Sequence, residues 1–196
     1  MSLHADARAV LGAWTAPDAR QEELRRSYLD HLDAHGDGMW RSCLPGHVTA
    51  STAIISADGS RAVLTLHRIH RIWLQTGGHC EPEDATLGAA ALREAAEESG
   101  IRGLTLLPEP VGLDRHAVPC GGGSFHLDVQ YAAVAPEDAV LVRDPDESAD
   151  LGWFPVDDLP DPSDEVCRSL VRTAAEAVAR HLRSSARPLG TDPGTR

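Results

Sequence analysis

Apolar residues recur at the spacing of one helical face along the first forty positions, so the chain is predicted to begin with two helices. Residues 2–14 predict a short helix capped by Ser2, and residues 15–35 predict a longer one. The longer helix is expected to begin at a capping-box-like pair, Thr15 and Asp18, with Pro17 in its first turn. Its apolar face carries Leu24, Tyr28, Leu29 and Leu32.

From His47 the pattern changes to the β-branched composition of strands. Residues 48–56 and 61–66 predict a hairpin with a turn at Asp58-Gly59, and a short strand follows over residues 73–75. Further strands are predicted over residues 104–110, 125–134 and 153–156, with a glycine-rich loop over residues 119–123.

Two more helices complete the predicted elements, over residues 86–99 and 164–183, and Gly100 is placed to end the first of them. This order predicts an α/β fold in which a mixed sheet is covered by helices on both faces. The predicted organisation is an N-terminal helical extension over residues 1–42, a globular domain over 43–183 and a disordered tail over 184–196.

Composition narrows the classes of function. The 196-residue chain carries a net charge of −12, and every one of its 18 basic side chains is an arginine. This balance disfavours nucleic acid and anionic membranes as partners, and the lack of lysine excludes Schiff-base chemistry. No apolar run approaches a membrane span, the N-terminus does not resemble a signal peptide, and the four cysteines form no C-x-x-C pair. We therefore expect a cytoplasmic protein without a disulfide scaffold.

The segment with the most informative chemistry is GGHCEPEDATLGAAALREAAEESGI, residues 77–101. Glu94, Glu97 and Glu98 lie at positions i, i+3 and i+4, so a helix places them on one face. Three carboxylates on one stripe repel each other unless a positive charge lies among them, and Mg²⁺ prefers such oxygen ligands. The preceding glycine turn allows a phosphate chain to approach this stripe. The segment predicts metal-assisted chemistry on a diphosphate.

This segment resembles the Nudix box, whose pattern is G-x5-E-x7-R-E-U-x-E-E-x-G-U with U an aliphatic residue. Gly78 fits the leading glycine, and the second half is matched without a gap by Arg93, Glu94, Glu97, Glu98, Gly100 and Ile101. Two departures occur in the first half. Asp84 stands at the position of the first glutamate, and eight residues rather than seven precede Arg93, which indicates a one-residue insertion.

The resemblance implies an α/β/α sandwich and a pyrophosphohydrolase that uses Mg²⁺ or Mn²⁺ and a metal-activated water. The substrate would be a nucleoside diphosphate linked to another moiety, or a nucleoside triphosphate. The resemblance also implies that the Gly77 carbonyl joins the three glutamates as a ligand, and that Arg93 orients them. The proton would pass to a box glutamate or to an acid of the later loop, where Glu147 is the candidate and Asp144, Asp146 and Asp150 compete with it.

Substrate contacts are predicted from position alone. Arg68 and Arg71 lie just upstream of the box and could meet phosphates, and Gly78 allows close approach of the backbone. The N-terminal helices could pack on the core, shape the pocket or form a homodimer.

Two alternatives compete with hydrolysis at the box, and one further cluster could bind a metal of its own. Cys80 beside the glycine turn could be the nucleophile of an isopentenyl-diphosphate-isomerase-like enzyme, although a small buried cysteine is the commoner interpretation. The fold could also serve as a nucleotide sensor without catalysis. Finally, a structural metal could be bound by His116, Cys120, His126 and Asp128.

Overall fold

The N-terminal helices form as the apolar spacing predicts. The computed structural model describes residues 1–118 and 123–185. Helix α1 spans Leu3–Ala13 and is capped by Ser2, and helix α2 spans Ala19–Ala34. The predicted start of α2 is wrong in detail. Asp18 alone is the N-cap, because its carboxylate accepts a hydrogen bond from the Gln21 N–H at 2.8 Å, and Pro17 therefore precedes the helix.

In the described part of the chain, eight strands build one mixed sheet. They are β1 (His47–Ile55), β2 (Arg61–His67), β3 (Trp73–Leu74), β4 (Thr76–His79), β5 (Thr105–Leu106), β6 (Gly112–Val118), β7 (Ser124–Val134) and β8 (Ser148–Pro155). The long central strands β1 and β7 are parallel, and the other pairs are antiparallel. Strand β1 meets β7 along one edge, while its other edge is shared between β4 and the end of β2.

Helices cover both faces of this sheet. Helix α4 (Glu165–Ser185) packs on one face, where its Leu170, Val171 and Val178 meet apolar residues of β1, β2 and β7. Helix α3 (Leu87–Ser99) and helix α1 pack on the opposite face. The predicted α/β/α sandwich with a mixed sheet is confirmed. No helix in the described part of the chain is long and apolar enough to cross a membrane.

Several predicted bounds differ from the structure. Strand β6 was not predicted, and β5 is much shorter than residues 104–110. Strand β6 has no strict alternation to reveal it, because its first three residues are buried and the next three are exposed, and it forms by pairing with β7. Helix α4 continues to Ser185, past the predicted end at Arg183. Most of the predicted glycine-rich loop and residues 186–196 of the predicted tail lie outside the described residues.

The N-terminal helices are joined to the sheet and to α3 by long-range hydrogen bonds. The Tyr28 hydroxyl donates to the Asp114 carbonyl at 2.6 Å, and the Gln21 side chain bonds both backbone groups of Leu113 at 2.8 and 3.0 Å. Asp6 accepts from the Leu87 N–H at 2.7 Å, so a carboxylate of α1 caps the first turn of α3. The helical extension therefore supports the helix that carries the glutamate stripe.

Candidate active site

Helix α3 has well-defined ends. Thr86 caps its start by accepting from the Ala89 N–H at 3.0 Å, and Gly100 ends it in the left-handed conformation with φ of 69°. Its apolar side is buried against the sheet, so its polar side faces the glycine turn of β4. The helix therefore presents Glu94, Glu97 and Glu98 on one stripe, as their spacing predicts.

The glycine turn is in close contact with this stripe. A Cβ on Gly78 would lie 2.6 Å from the Glu94 carboxylate, and a Cβ on Gly77 would lie 2.5 Å from Cβ of Ser51. Gly77 also has a φ of +154°, which side chains rarely adopt. Gly77 needs glycine, because Ser51 of the paired strand β1 leaves no room for a Cβ there, whereas a Cβ on Gly78 would have to displace the Glu94 carboxylate.

Arg93 is the centre of the hydrogen-bond network in the site. Its Nε and Nη2 donate to the two oxygens of Asp84 at 3.1 and 3.0 Å, and Nη2 also donates to the His79 carbonyl at 2.9 Å. Its Nη1 donates to Glu94 at 2.9 Å and to Glu97 at 3.0 Å. One guanidinium thus connects the entry loop, the glycine turn and two glutamates of the stripe.

Asp84 acquires a role that the irregular first half of the box left open. It is buried, and it accepts the Glu81 N–H at 2.8 Å in addition to the Arg93 fork. Burial by itself would raise the pKa of Asp84, but the hydrogen bonds from Arg93 and Glu81 outweigh it, so the pKa is lowered. The hydrogen bond and charge of Asp84 in turn raise the pKa of Arg93. Asp84 is therefore an ionised anchor that orients Arg93.

The three glutamates differ in environment. Burial, followed by repulsion from Glu94 and Glu147, raises the pKa of Glu98 to about 8. Burial also raises the pKa of Glu94, against the effect of Arg93. Glu97 is 51% exposed. In the described part of the chain the three carboxylates do not gather their oxygens within 4.8 Å of one another, since like charges repel and Arg93 holds two of them.

The later loop reaches the stripe through the end of α3. The Val142 N–H donates to the Ser99 carbonyl at 2.9 Å, which docks the loop on the last turn of the helix. Asp144 then forms a tight turn by accepting the Asp146 N–H at 2.8 Å. Glu147 follows, close enough to affect the pKa of Glu94 and Glu98, and burial and Asp144 raise its own pKa. The loop therefore brings Glu147 to the box glutamates.

Gly100 offers a test of this docking. A Cβ there would lie 2.5 Å from Cβ of Val142, whereas a Cβ on Gly103, which has a similar φ of +76°, would meet nothing within 4 Å. Gly100→Ala should cost about 3 kcal/mol in the free energy of unfolding, and Gly103→Ala about 1 kcal/mol. Urea unfolding of both variants measures the difference. Equal losses would mean that only backbone strain matters at Gly100.

Arg68 and Arg71 lie at the tip between β2 and β3. Arg68 donates to the Asp146 carbonyl and lies 3.9 Å from its carboxylate, so it contacts the loop that carries Glu147. Arg71 is exposed and has a φ of +54°. Their contact with substrate phosphates stays a prediction.

Cys80 is a packing residue by its surroundings. It is 7% exposed within the apolar cluster around α3, and burial raises the pKa of its thiol to about 12. A nucleophile needs the thiolate, which this environment disfavours. Cys80→Ala should therefore keep kcat within about threefold and cost about 1 kcal/mol of stability. Steady-state kinetics and thermal unfolding measure both, and loss of turnover in a folded variant would restore a chemical role for the thiol.

Of the proposed group of His116, Cys120, His126 and Asp128, the three described members do not bring their ligand atoms together as one metal-binding group. His116 bonds Asp114 through Nδ1 at 2.8 Å, and Asp128 accepts the hydroxyls of Thr49 and Ser51 at 3.1 and 2.6 Å. Cys120 lies outside the described residues. His126 instead meets His47 and His79, and sequence reasoning missed His47 because strand pairing alone brings it there.

Comparison with known proteins identifies the family of this chain. The family model of the NUDIX domain matches residues 45–174 of this chain. The structure is similar to a MutT NUDIX hydrolase from Burkholderia pseudomallei, with 28% identity and a TM-score of 0.51, over 65% of this chain and 97% of that one. A NUDIX-family hydrolase from Clostridium perfringens is 24% identical with a TM-score of 0.50, over 69% and 97% of the two chains. No curated protein matches this chain.

The chain belongs to the Nudix family. It is a hydrolase that acts on pyrophosphate bonds, as the box predicts, and members of the family act on small-molecule diphosphates and generally use divalent metals. These comparisons favour a hydrolase over a diphosphate isomerase or a nucleotide sensor.

Proposed function

We propose that this protein hydrolyses the diphosphate bond of a nucleoside diphosphate linked to another moiety, or of a nucleoside triphosphate, with Mg²⁺ or Mn²⁺ as cofactor. The observation that carries the proposal is the Arg93 network. A guanidinium anchored by Asp84 holds Glu94 and Glu97 beside the half-buried Glu98. Such an arrangement keeps three carboxylates on one stripe next to a bare glycine turn.

The residues present fit a hard divalent cation. The donor set consists of the carboxylates of Glu94, Glu97 and Glu98 with the Gly77 carbonyl, and all of these are oxygen ligands. The raised pKa of Glu98 reflects repulsion from neighbouring carboxylates as well as burial, and a bound cation would relieve that repulsion. Glu97 is exposed and can rotate toward its neighbours. When bound, the cation supplies charge that neutralises the diphosphate and lowers the pKa of the attacking water.

Side chains and backbone of the protein itself supply the remaining functions of orientation, phosphate binding and proton transfer. Arg93 orients Glu94 and Glu97, and the bare backbone at Gly78 leaves room beside the stripe for a phosphate chain. Arg68 contacts the loop that carries Glu147, and in this proposal Arg68 and Arg71 offer positive charge to a terminal phosphate. Glu147 accepts the proton of the attacking water at its carboxylate, since it lies on a separate loop and has a raised pKa.

Glu147→Gln tests the assignment of the proton acceptor. We expect kcat to fall by on the order of 10²-fold, because an amide cannot take the proton, while the affinity for Mg²⁺ stays within about threefold. The exposed Asp150, on the same segment, gives the matched control Asp150→Asn, which should keep the wild-type kcat. A Glu147→Gln enzyme with unchanged kcat and pH profile would assign the proton to a box glutamate, to Asp144 or to Asp146.

The proposed reaction itself is tested with a substrate panel. Purified protein is incubated with Mg²⁺ or Mn²⁺ and with nucleoside diphosphate-linked compounds and nucleoside triphosphates in ¹⁸O-labelled water. Mass spectrometry should find two phosphate-bearing products, one of which carries the label. Addition of a chelator should abolish turnover. The double variant Glu97→Gln, Glu98→Gln should show no turnover either. If no member is cleaved with either metal, the proposed substrate class is wrong, and tight binding by calorimetry without product would favour a sensor.

A further inference from the structure

Three histidines from three neighbouring strands gather outside the carboxylate stripe. We propose that His47, His79 and His126 form a second metal site, which takes a transition cation of the Zn²⁺ type. Their ring nitrogens all lie within 4.8 Å of one another, and the ring centroids are 4.9 to 5.1 Å apart. Zn²⁺ bound to three imidazoles holds the nitrogens about 3.3 Å apart, so small side-chain rotations would close the site.

Strand register places the three rings on one face. His47 of β1 is the direct partner of His126 in the parallel strand β7. His79 of β4 is the partner of Thr49, which points to the same face as His47 because it lies two residues further along β1. The rigid centre of the sheet therefore determines the geometry, and ligands on strands are held more precisely than ligands on loops.

Four ring nitrogens of these histidines have no hydrogen-bond partner among the described residues. Both nitrogens of His47 and the Nε2 atoms of His79 and His126 are buried without a hydrogen bond, and His47 is only 1% exposed. The Cys43 carbonyl lies near the His47 ring, but it makes no hydrogen bond of ordinary geometry with that ring. A buried polar atom without a partner is costly, and a shared cation would satisfy one nitrogen of each ring at once.

The donor set selects a different metal from the glutamate stripe. Neutral imidazole suits Zn²⁺, Ni²⁺ and Cu²⁺, whereas Mg²⁺ and Mn²⁺ prefer carboxylates and carbonyls. Three protein ligands leave a fourth position of a tetrahedral ion for water or another group.

A second group, formed by His35, Asp37 and Cys43, is a weaker candidate. Asp37 is exposed, and the Cys43 sulfur already lies 3.8 Å from Nε2 of His31. This group lacks the buried, unpartnered nitrogens of the histidine site, and it provides a control for the experiment.

Occupancy of the histidine site would act on the catalytic site through the backbone. His79 directly follows Gly78, and its carbonyl accepts the hydrogen bond from Arg93 at 2.9 Å. A cation that joins β1, β4 and β7 would restrict the segment from the glycine turn to this carbonyl. A bound cation would therefore position the turn against which Glu94 packs.

Metal binding in solution tests the proposal without a substrate. Chelator-treated protein is titrated with Zn²⁺ by calorimetry in excess Mg²⁺, which occupies the carboxylates. We expect one equivalent to bind, and His79→Phe and His126→Phe to weaken the affinity by at least about 100-fold. The double variant Glu97→Gln, Glu98→Gln and the variant His35→Ala should bind Zn²⁺ like the wild type. Co²⁺ in the same site should absorb visible light strongly, as a four-coordinate ion with nitrogen ligands does.

Three outcomes would overturn the proposal. In the first, the wild type binds no Zn²⁺ beyond that which Mg²⁺ displaces. In the second, the glutamate double variant loses Zn²⁺ binding, and in the third, His35→Ala loses it. Thermal unfolding in chelator shows whether the phenylalanine variants fold. Zn²⁺ should then raise the Tm of the wild type and leave that of His126→Phe unchanged.

Discussion

Replacing Glu98 with glutamine should lower kcat by on the order of 10³-fold and, in the presence of chelator, make the protein more stable at alkaline pH. Glutamine keeps the shape of Glu98 but removes the charge that the proposed cation needs, and such charge stabilisation contributes several kcal/mol to the transition state. The same charge is unfavourable in the metal-free site, because burial and neighbouring carboxylates oppose it. The same substitution should therefore impair catalysis and stabilise the metal-free fold.

The sign of the stability effect follows from the pKa of Glu98. The folded pKa of about 8 lies above the ordinary value of 4.5, so the folded state binds this proton more tightly than the unfolded state. The contribution of Glu98 to the stability of the metal-free wild type is fully present below pH 4.5 and is lost as the pH rises through 8. Glu98→Gln lacks this loss, so its free energy of unfolding should exceed the wild-type value by about 2 kcal/mol at pH 8.5. At pH 4.5 the two should be equal.

Steady-state kinetics with saturating Mg²⁺ and urea unfolding in chelator at the two pH values measure these effects. Glu23→Gln is the matched control, because Glu23 is exposed on α2, away from the stripe. It should leave both kcat and the pH dependence of stability at wild-type values. Activity of Glu98→Gln within tenfold of the wild type would contradict its assignment as a metal ligand.

Asp84→Asn should cost about 3 kcal/mol in the free energy of unfolding and about tenfold in kcat. The Asp84 side chain is 5% exposed, and the substitution leaves the Arg93 guanidinium without its bidentate partner. A charge that loses its buried partner is strongly destabilising. Arg93 would then hold Glu94 and Glu97 less firmly, which lowers the rate. The first half of the box therefore contributes through Arg93, although its spacing is irregular.

Glu81 provides the control for this prediction. It carries the same charge and lies 3.9 Å from Nε of Arg93, but its side chain is 57% exposed. Glu81→Gln should cost less than about 0.5 kcal/mol. The pKa of Asp84 is lowered in the folded state, so its contribution is present at neutral pH and is lost as the pH falls through that lowered pKa. The gap between wild type and Asp84→Asn should therefore close in acid. Equal stabilities of the two variants at pH 7 would contradict the anchor role.

Local patterns were sufficient for the elements that depend on neighbours in the chain. The spacing of Glu94, Glu97 and Glu98 predicts their common face, because helix geometry alone determines which positions align. Gly100 and Ser2 are found at the helix ends where they were predicted. Strand β6 was missed because it has no strict alternation and forms through its pairing with β7.

The sequence by itself determined the Nudix box, the class of hydrolase and the stripe that we propose binds a divalent cation. Only the tertiary structure decided that Asp84 anchors Arg93, that the loop docked on Gly100 brings Glu147 to the stripe, and that His47 meets His79 and His126. Each of these contacts joins residues from different elements. Their meeting depends on strand register and loop packing, which no local periodicity encodes.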